Sequence, residues 1–430
     1  MTTRHHRTRL ALALGAGVLA LAACAPSSSS GGGSGDGGST TLTVWSWRVE
    51  DKAAYEKIFA AYEKEHPGVT VDFKPFKATE YNKILATGLA GSDGPDVPQV
   101  RSYGGLQTTV ASGSLVPLDG QVDLSSWDEN IVAGAKGKED GKLYSVPLAR
   151  QATVLFYDKK MFSDNGVQVP TTWDQFIAAN ETFLKKGITP LAVGAKDDWT
   201  LPIVHEILAG SRFGGTEFQK AVQSGAKDFT DPDFVASVEV LKTLEKYMPN
   251  SVTGVAVTDA MTLFSSGKAA MYPGGSYDLA TLQKANPDMD LGVFQVPPPP
   301  GAPAGATGTT AGWADGNFAV NAKSPHKDAA MELVKWMSTK EFGQMVADDV
   351  KQISAVPGVS YSDPVLKDVA GNLDSSGSPY LLLTDFRYGS PSGTDLLGKG
   401  VQELFLGSKD ATAVSTELNK GVMTWFKPAS

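Results

Sequence analysis

The first folded stretch of the chain switches from a strand pattern to a helix pattern and back. In TLTVWSWRVEDKAAYEKIFAAYEKEHPGVTVDF, Leu42 and Val44 alternate with polar residues, as in a half-buried strand. The apolar residues that follow share one helical face: Tyr55, Ile58, Phe59 and Tyr62. Pro67 and Gly68 end the helix, and alternation then resumes. This strand, helix, strand unit predicts an α/β fold with a parallel sheet.

A second helix is predicted in VPTTWDQFIAANETFLKKGITPLAV. Thr172 and Gln175 have the spacing of a capping box, in which each side chain satisfies a backbone N–H at the helix start. Its expected apolar face consists of Phe176, Ala179, Phe183 and Leu184. A short strand is expected to follow, so the helix and strand alternation continues.

A third helix is predicted in SPHKDAAMELVKWMSTKEF, with Ser324 as N-cap and Pro325 in the first turn. Its expected buried face is Ala330, Leu333, Val334 and Met337. The preceding GNFAVNA is expected to form a strand. The run VPPPPGAPAGATGTTAG is too rich in Pro and Gly for regular structure and predicts a loop.

The N-terminus has the pattern of a secretory signal followed by a flexible tether. Three arginines precede an apolar segment from Leu10 to Leu21, which is too short to span a bilayer comfortably. Leu21-Ala22-Ala23-Cys24 resembles a bacterial lipoprotein signal, in which the cysteine is lipidated and the chain is cleaved just before it. We therefore expect residues 1–23 to be a signal peptide, Cys24 a lipid anchor and 24–40 a Ser/Gly tether. The alternative is an ordinary secreted protein with an incidental cysteine.

Charge and composition exclude several classes of partner. Residues 1–23 carry three arginines and no acids, which leaves 35 basic against 47 acidic residues, so nucleic acid is an improbable partner. The three later histidines, His66, His205 and His326, have no metal-ligand spacing. No glycine-rich phosphate loop is present, and we expect no metal and no cofactor. The roughly 390 residues after the tether are more than a single hydrophobic core usually organises, so the length predicts two domains.

Five stretches, in order, resemble landmarks of the bacterial extracellular solute-binding proteins that feed sugars to ABC importers, the group that includes maltose-binding protein. They are GPDV, GKLYSVPLARQATVLFYDKKMF, VPTTWDQF, FSSGKAAMYPGGSYD and NFAVNAKSPHKDAAMELVKWM. The resemblance implies a type II periplasmic-binding-protein fold, with two α/β lobes and a ligand cleft between them. The implied lobes are 41–150 plus 290–345, and 151–289 plus 346–430.

That family resemblance also implies the mechanism and the partners. A ligand that contacts both lobes binds the closed form more tightly and shifts the population toward it. The resemblance implies that a membrane permease accepts the closed, loaded protein while separate ATPase subunits power transport. We therefore expect a monomer on the outer face of the cell membrane, with a sugar as ligand and ABC permease subunits as partners.

A sugar cleft needs aromatic rings for the apolar ring faces and amide, carboxylate or guanidinium groups for the hydroxyls. Such residues follow the first predicted strand, where ligands of α/β sheets tend to lie: Trp45, Trp47 and Arg48. Arg101 and Tyr103 follow a later strand end. The alternatives are a core role for either tryptophan, a solvated Arg48 and an ordinary turn at RSYGG.

Two further candidates come from the family pattern. Gln151 matches a position at which the family places a ligand-contacting polar side chain, although maltose-type members have an acid there. Tyr277 matches the aromatic platform under the sugar, with lobe packing as the alternative. The candidates from the remaining loops are Trp199, Trp313, Asp315, Arg387 and Tyr388, with Asp385 beside them.

Two other functions are compatible with parts of the sequence. A glycoside hydrolase also combines aromatics with carboxylates, but the acid pairs here are adjacent along the chain and point in different directions. There is no Gly-x-Ser-x-Gly elbow, so we expect no enzyme. The same fold with a polyamine, peptide or anion as ligand is the second alternative, and the density of Trp and Tyr at the candidate loops favours sugar.

Overall fold

The computed structural model describes residues 39–429, which form α-helices and short strands in alternation. The strands are β1 (Thr40–Ser46), β2 (Val69–Pro75), β3 (Val97–Val100), β4 (Ala149–Asp158), β5 (Thr189–Leu191), β6 (Ala269–Gly275), β7 (Leu291–Phe294), β8 (Thr310–Asp315), β9 (Asn317–Phe318) and β10 (Gly377–Pro379). The N-terminal predictions, including Cys24, lie outside the described residues.

The helices pack on both sheets. They are α1 (Lys52–Glu65), α2 (Ala78–Ala90), α3 (Gly104–Ala111), α4 (Glu129–Ala133), α5 (Lys159–Asp164), α6 (Trp173–Lys185), α7 (Leu201–Phe213), α8 (Gly215–Gln223), α9 (Pro232–Leu244), α10 (Val257–Ser265), α11 (Leu279–Ala285), α12 (Lys327–Trp336), α13 (Lys340–Met345), α14 (Pro364–Ser376), α15 (Leu381–Thr384), α16 (Gly393–Phe405) and α17 (Ala411–Val422). Within the described range, no helix is long and apolar enough to cross a membrane.

The first sheet has the strand order β2-β1-β3-β9. Strands β1, β2 and β3 are parallel, and β9 is antiparallel to β3. The four apolar residues predicted for the face of α1 are all buried against this sheet. The strand, helix, strand prediction is therefore confirmed, because local periodicity was sufficient to define it.

The Asp96 carboxylate of the GPDV stretch joins three parts of this half of the chain. It accepts hydrogen bonds from the backbone N–H of Thr43 (2.8 Å) and from the hydroxyls of Thr43 (3.0 Å) and Ser324 (2.5 Å). Thr43 lies in β1, Asp96 directly precedes β3, and Ser324 lies in the turn after β9. The GPDV stretch therefore has a structural role.

The second sheet has the order β10-β8-β4-β6-β5, and β7 also pairs with β4. It is mixed, because β4 runs antiparallel to β6, β7 and β8, whereas β5 and β6 are parallel. The parallel pairing predicted from the first unit is confirmed for β1 and β2, and it does not extend to this half. Strands β7 and β8, which the predicted boundaries assign to the first lobe, belong to this sheet.

The chain passes between the two sheets at a few short segments. Strands β8 and β9 are separated only by Gly316, whose φ of +75° favours glycine. The start of β4 also crosses between the sheets, and residues 353–355 pair with it. The Arg150 N–H donates to the Ile353 carbonyl (2.8 Å), and the Ala355 N–H donates to the Leu148 carbonyl (3.0 Å). These paired crossover segments lie between the two sheets.

Several local predictions need correction. In α6, Thr172 accepts from the Gln175 N–H, but the Gln175 side chain accepts from Thr171, so the capping box is offset by one residue. Leu184 is exposed, because it lies about 100° around the helix from buried Phe183.

The predicted start of the third helix also shifts. Ser324 is not the N-cap, because α12 begins at Lys327 and the Ser324 hydroxyl donates to Asp96. The predicted buried face of α12 is confirmed. Of GNFAVNA only Asn317–Phe318 forms a strand, and the last residues of the predicted Pro-rich loop enter β8 at Thr310.

Candidate functional site

The candidate site lies where the carboxyl ends of β1, β3 and β6 meet the end of β8. Trp47 and Arg48 follow β1, Arg101 follows β3, Tyr277 follows β6, and β8 carries Trp313 and Asp315. Side chains from both sheets contact one another here. The position agrees with the tendency of α/β folds to bind ligands beyond the carboxyl ends of their strands.

Arg101, Trp47 and Asp315 form a desolvated group in this site. The Arg101 guanidinium stacks over the Trp47 ring at 3.7 Å from its centroid, and Nη1 lies 3.7 Å from Asp315 Oδ2. Burial lowers the pKa of Arg101 to about 10, an effect that Asp315 opposes and Arg387 reinforces. Among the described residues, Arg101 Nε has no hydrogen-bond partner. A buried donor without a partner is uncommon, so Arg101 is well suited to a polar ligand group.

Arg48 connects the first sheet to the loop after β6. Its Nε donates to Asp51 Oδ2 (2.7 Å) and its Nη1 lies 2.9 Å from Glu50 Oε1. Its Nη2 donates to the backbone carbonyl of Tyr277 (3.1 Å). Burial acts to lower the pKa of Arg48, but the two carboxylates outweigh it and the pKa is raised. Arg48 is therefore charged and fixed in orientation, not solvated.

Three aromatic rings form a row at the second sheet. Trp313 packs edge-on against Tyr277 (6.4 Å between centroids) and against Tyr380 (5.2 Å). Tyr277 lies in a 3₁₀ turn, Ser276–Asp278, directly after the two glycines that end β6. A Cβ at Gly275 would overlap the Tyr277 ring, so glycine is required for the ring to fold back over this turn. Tyr277 is partly buried, whereas Trp313 and Tyr380 are buried.

Gln151 lies beside this row in a chain of buried amides. Its Nε2 donates to Gln352 Oε1 (2.7 Å), and its Oε1 accepts from the Ser276 hydroxyl (2.7 Å). Gln352 Nε2 reaches Asp51 Oδ2 at 3.4 Å. The polar groups of Gln151 are thus paired with protein groups.

Trp199 lies in the 3₁₀ turn Asp198–Thr200, and 47% of it is exposed. It lines a recess together with Gly274, Val257 and Tyr277. An exposed tryptophan that lines the same recess as a second aromatic residue offers a flat apolar surface for a ligand.

The remaining predicted residues are placed differently. Trp45 lies under α2, against Phe76 (5.0 Å between centroids) and Gly88, away from the aromatic row. The Tyr103 hydroxyl donates to the Asn130 carbonyl (3.1 Å) and accepts from the Ala314 N–H (3.0 Å), so its polar group is used in the fold.

The segment after α15 carries the last two predicted residues. Lys138 Nζ lies 4.5 Å from the centroid of the Tyr388 ring. The Arg387 side chain is partly buried and makes no ion pair with the described residues, whereas the neighbouring Asp385 accepts from Gln223 (2.8 Å). A Cβ at Gly104 would overlap the Arg387 carbonyl, so this segment of the second half touches the start of α3.

Several residues of the site were missed in the sequence. Asp51 carries a weak signal, because it lies three residues after Arg48, a spacing that brings side chains together on a helical turn. Tyr380, Ser276 and Gln352 carry none. Gln352 is 201 residues from Gln151. No group of three or more potential metal ligands occurs in the described part of the chain.

A buried acid lies behind the aromatic row. Glu206 belongs to α7, a helix buried along most of its length, and is 5% exposed. Burial raises the pKa of Glu206 to about 8, and contact with the backbone N–H of Leu381, next to Tyr380, acts in the opposite direction. The carboxyl group is therefore mainly protonated at neutral pH and supports the row without a charge.

Comparison with protein-family models identifies the family of this chain. The model of the family "Bacterial extracellular solute-binding protein" matches residues 45–344. The chain belongs to the family of bacterial extracellular solute-binding proteins, which confirms the resemblance and places it on the extracytoplasmic side of the membrane.

Two characterised relatives bind sugars. The chain is 28% identical to the Multiple sugar-binding protein of Streptococcus mutans over 320 residues, which cover 72% of this chain and 74% of that one. It is 24% identical to the Melibiose/raffinose/stachyose-binding protein MelE of Bacillus subtilis over 368 residues, 82% of each chain.

Solved structures confirm the fold. A protein described in work on xylan utilization by Caldanaerobius polysaccharolyticus has 24% identity and a TM-score of 0.77, covering 88% of this chain and 99% of that one. The GacH receptor of Streptomyces glaucescens has 22% identity and a TM-score of 0.73, covering 90% and 100%. The fold is the type II periplasmic-binding-protein fold, as predicted.

We predict that Glu206 makes the stability of the protein depend on pH. Because its pKa is higher in the folded chain than the ordinary 4.5, its contribution is fully present below pH 4.5 and is lost as pH rises to about 8. Glu206→Gln cannot ionise, so its stability relative to the parent should rise across this range, by on the order of 4 kcal/mol. Urea denaturation at a series of pH values measures the difference.

Glu239→Gln is the matched control, because Glu239 is exposed on the neighbouring α9. Its stability relative to the parent should show no comparable trend. A constant difference between Glu206→Gln and the parent from pH 5 to pH 8 would contradict the assignment of a raised pKa.

Proposed function

We propose that this protein captures a carbohydrate of the oligosaccharide class by closure of its two lobes and delivers it to the permease of an ABC importer. The observation that carries the proposal is the joint construction of the site. Arg48, Trp47 and Arg101 come from the first sheet, and Tyr277, Trp313 and Asp315 come from the second. A ligand between them contacts both lobes, so it stabilises the closed arrangement.

The chemistry of the site supports a sugar. The aromatic rings suit the apolar C–H faces of pyranoses, and the guanidinium of Arg101 and carboxylate of Asp315 suit adjacent hydroxyls. The names of the relatives support the same class, because they bind multiple sugars, melibiose, raffinose and stachyose. The protein is then a binding component rather than an enzyme.

The remaining parts of the proposal concern anchoring and organisation. We infer that Cys24 is lipidated after cleavage at residue 23, that 24–40 is the tether, and that the mature protein works as a monomer with permease subunits. The lobes are proposed to be centred on the two sheets, with 41–150 and 151–289 as their main segments and 290–345 and 346–430 divided between them. Strand pairing favours assigning β7 and β8 to the second lobe.

We predict that a sugar will raise the melting temperature and contract the molecule. A panel of melibiose, raffinose, stachyose, galactose and mannitol, with spermidine and an oligopeptide as competitors, tests the class by thermal shift, because a ligand of the native state stabilises it. The sugar that stabilises the protein should also reduce the radius of gyration in solution scattering. Stabilisation by spermidine or peptide with no response to any sugar would favour the alternative ligand classes, and turnover of an oligosaccharide would indicate a hydrolase.

We predict that Tyr277→Ala weakens binding of the identified sugar about thirtyfold, a loss of roughly 2 kcal/mol for an aromatic anchor in a desolvated site. Calorimetry measures affinity, and a melting curve measures the empty protein. Tyr62→Ala is the reciprocal control, because Tyr62 lies on the buried face of α1 and packs against Trp336. It should lower the melting temperature and leave the affinity unchanged. If Tyr277→Ala behaves like Tyr62→Ala, the platform role is wrong.

We predict that Cys24→Ser releases the protein from the membrane without affecting its fold. Two acyl chains on one cysteine anchor a protein stably, and no other attachment is proposed. Expression in the cell, fractionation with a salt wash and immunoblotting measure the partition. Ser28→Ala, in the same tether, should still sediment with membranes. Retention of Cys24→Ser in the membrane fraction would disprove lipid anchoring.

A further inference from the structure

Five buried side chains form a continuous hydrogen-bonded chain between the two sheets, which we name the polar chain: Arg48, Asp51, Gln352, Gln151 and Ser276. Each is 9% exposed or less. Buried polar groups need partners, since each group left unpaired carries a desolvation penalty. The links of the polar chain therefore depend on one another.

The members come from three different parts of the fold. Arg48 and Asp51 follow β1 of the first sheet, and Ser276 follows β6 of the second. Gln151 lies near the start of β4, and Gln352 directly precedes the crossover residues 353–355 that pair with it. The polar chain thus runs from one lobe, through the crossover, into the other lobe.

The links differ in length. The bonds from Gln151 to Gln352 and to Ser276 are both 2.7 Å, which is at the short end of the range for an amide donor and ordinary for a hydroxyl donor. The bond from Gln352 Nε2 to Asp51 Oδ2 is 3.4 Å, and that from Arg48 Nη2 to the Tyr277 carbonyl is 3.1 Å. Within the polar chain, the two residues of the first lobe are therefore joined to the others by the two longest links. Separation of the lobes would break these two bonds, together with other contacts between the sheets such as that of the Tyr103 hydroxyl with the Ala314 N–H, and leave the shorter links in place.

We propose that Gln352 is a positioning residue that sets the balance between contacting and separated lobes before any ligand binds. Its amide holds Asp51, and Asp51 orients Arg48 toward Tyr277. Gln352 acts on the ligand site only through these residues. This inference rests on the proposed two-lobe closure, but its test uses no ligand, so the two can fail separately.

The test replaces Gln352 by glutamate. Gln352→Glu keeps an oxygen that accepts from Gln151, but it removes the amide donor to Asp51 and places a second carboxyl group there, which repels Asp51 when both are ionised. Solution scattering of the ligand-free chain should then give a larger radius of gyration than the parent. Gln344→Glu is the matched control, since Gln344 lies in α13, shortly before Gln352 in the chain, and donates to a different acid, Asp348 (3.0 Å). Its radius of gyration should equal that of the parent.

An uncharged variant separates loss of the bond to Asp51 from the effect of added charge. Gln352→Met has similar volume and no amide, so it removes the donor to Asp51 and leaves the Arg48 to Asp51 pair intact. Its radius of gyration should also exceed that of the parent. If Gln352→Glu does not fold, Gln352→Met makes the comparison with the parent.

An unchanged radius of gyration in Gln352→Glu with a lowered melting temperature would overturn the proposal, because Gln352 would then be a structural residue only. Expansion of Gln344→Glu to the same extent would also overturn it, because the effect would be one of added charge. Expansion of both Gln352→Glu and Gln352→Met relative to the parent would support it.

Discussion

The arrangement of the site depends on pairing buried polar groups across two separate sheets. Arg48 is a buried cation, and it is compatible with its position because Asp51 and Glu50 surround it and the Tyr277 carbonyl accepts an N–H of Nη2. Those contacts fix the end of β1 against the turn after β6. The aromatic row of Tyr277, Trp313 and Tyr380 is held in place by the same contacts.

The two groups of residues in the site differ in how their buried polar atoms are paired. In the group of Trp47, Arg101 and Asp315, the guanidinium is stacked on a ring, and one donor is left without a partner among the described residues. In the polar chain, both the amide nitrogen and the amide oxygen of Gln151 have hydrogen-bond partners. The first group is therefore suited to contacting a ligand, and the second to holding the lobes in a defined geometry.

Some site predictions depended on family resemblance and others on residue type. Trp47, Arg48 and Arg101 follow strand ends, and the structure brings them together with Tyr277, Trp313 and Asp315. Trp45 lies inside β1 and Tyr103 follows β3, but side chains alternate between the faces of a strand and turn with the local backbone. Tyr103 has a φ of 53°, and its hydroxyl bonds to Asn130 and to Ala314 of β8, so its polar group joins the two sheets. Proximity to a strand end does not decide which way a side chain points.

The sequence by itself determined the α/β class, the unit from β1 to β2, the buried faces of α1 and α12, and a set of aromatic and charged residues at strand ends. These features are encoded locally, because periodicity and turn residues act over a few positions. Only the tertiary structure decided that β7 and β8 join the second sheet, that the sheet is mixed, and that Gln352 meets Gln151 and Asp51. Such contacts join residues hundreds of positions apart, and no local pattern records which surfaces will pack together.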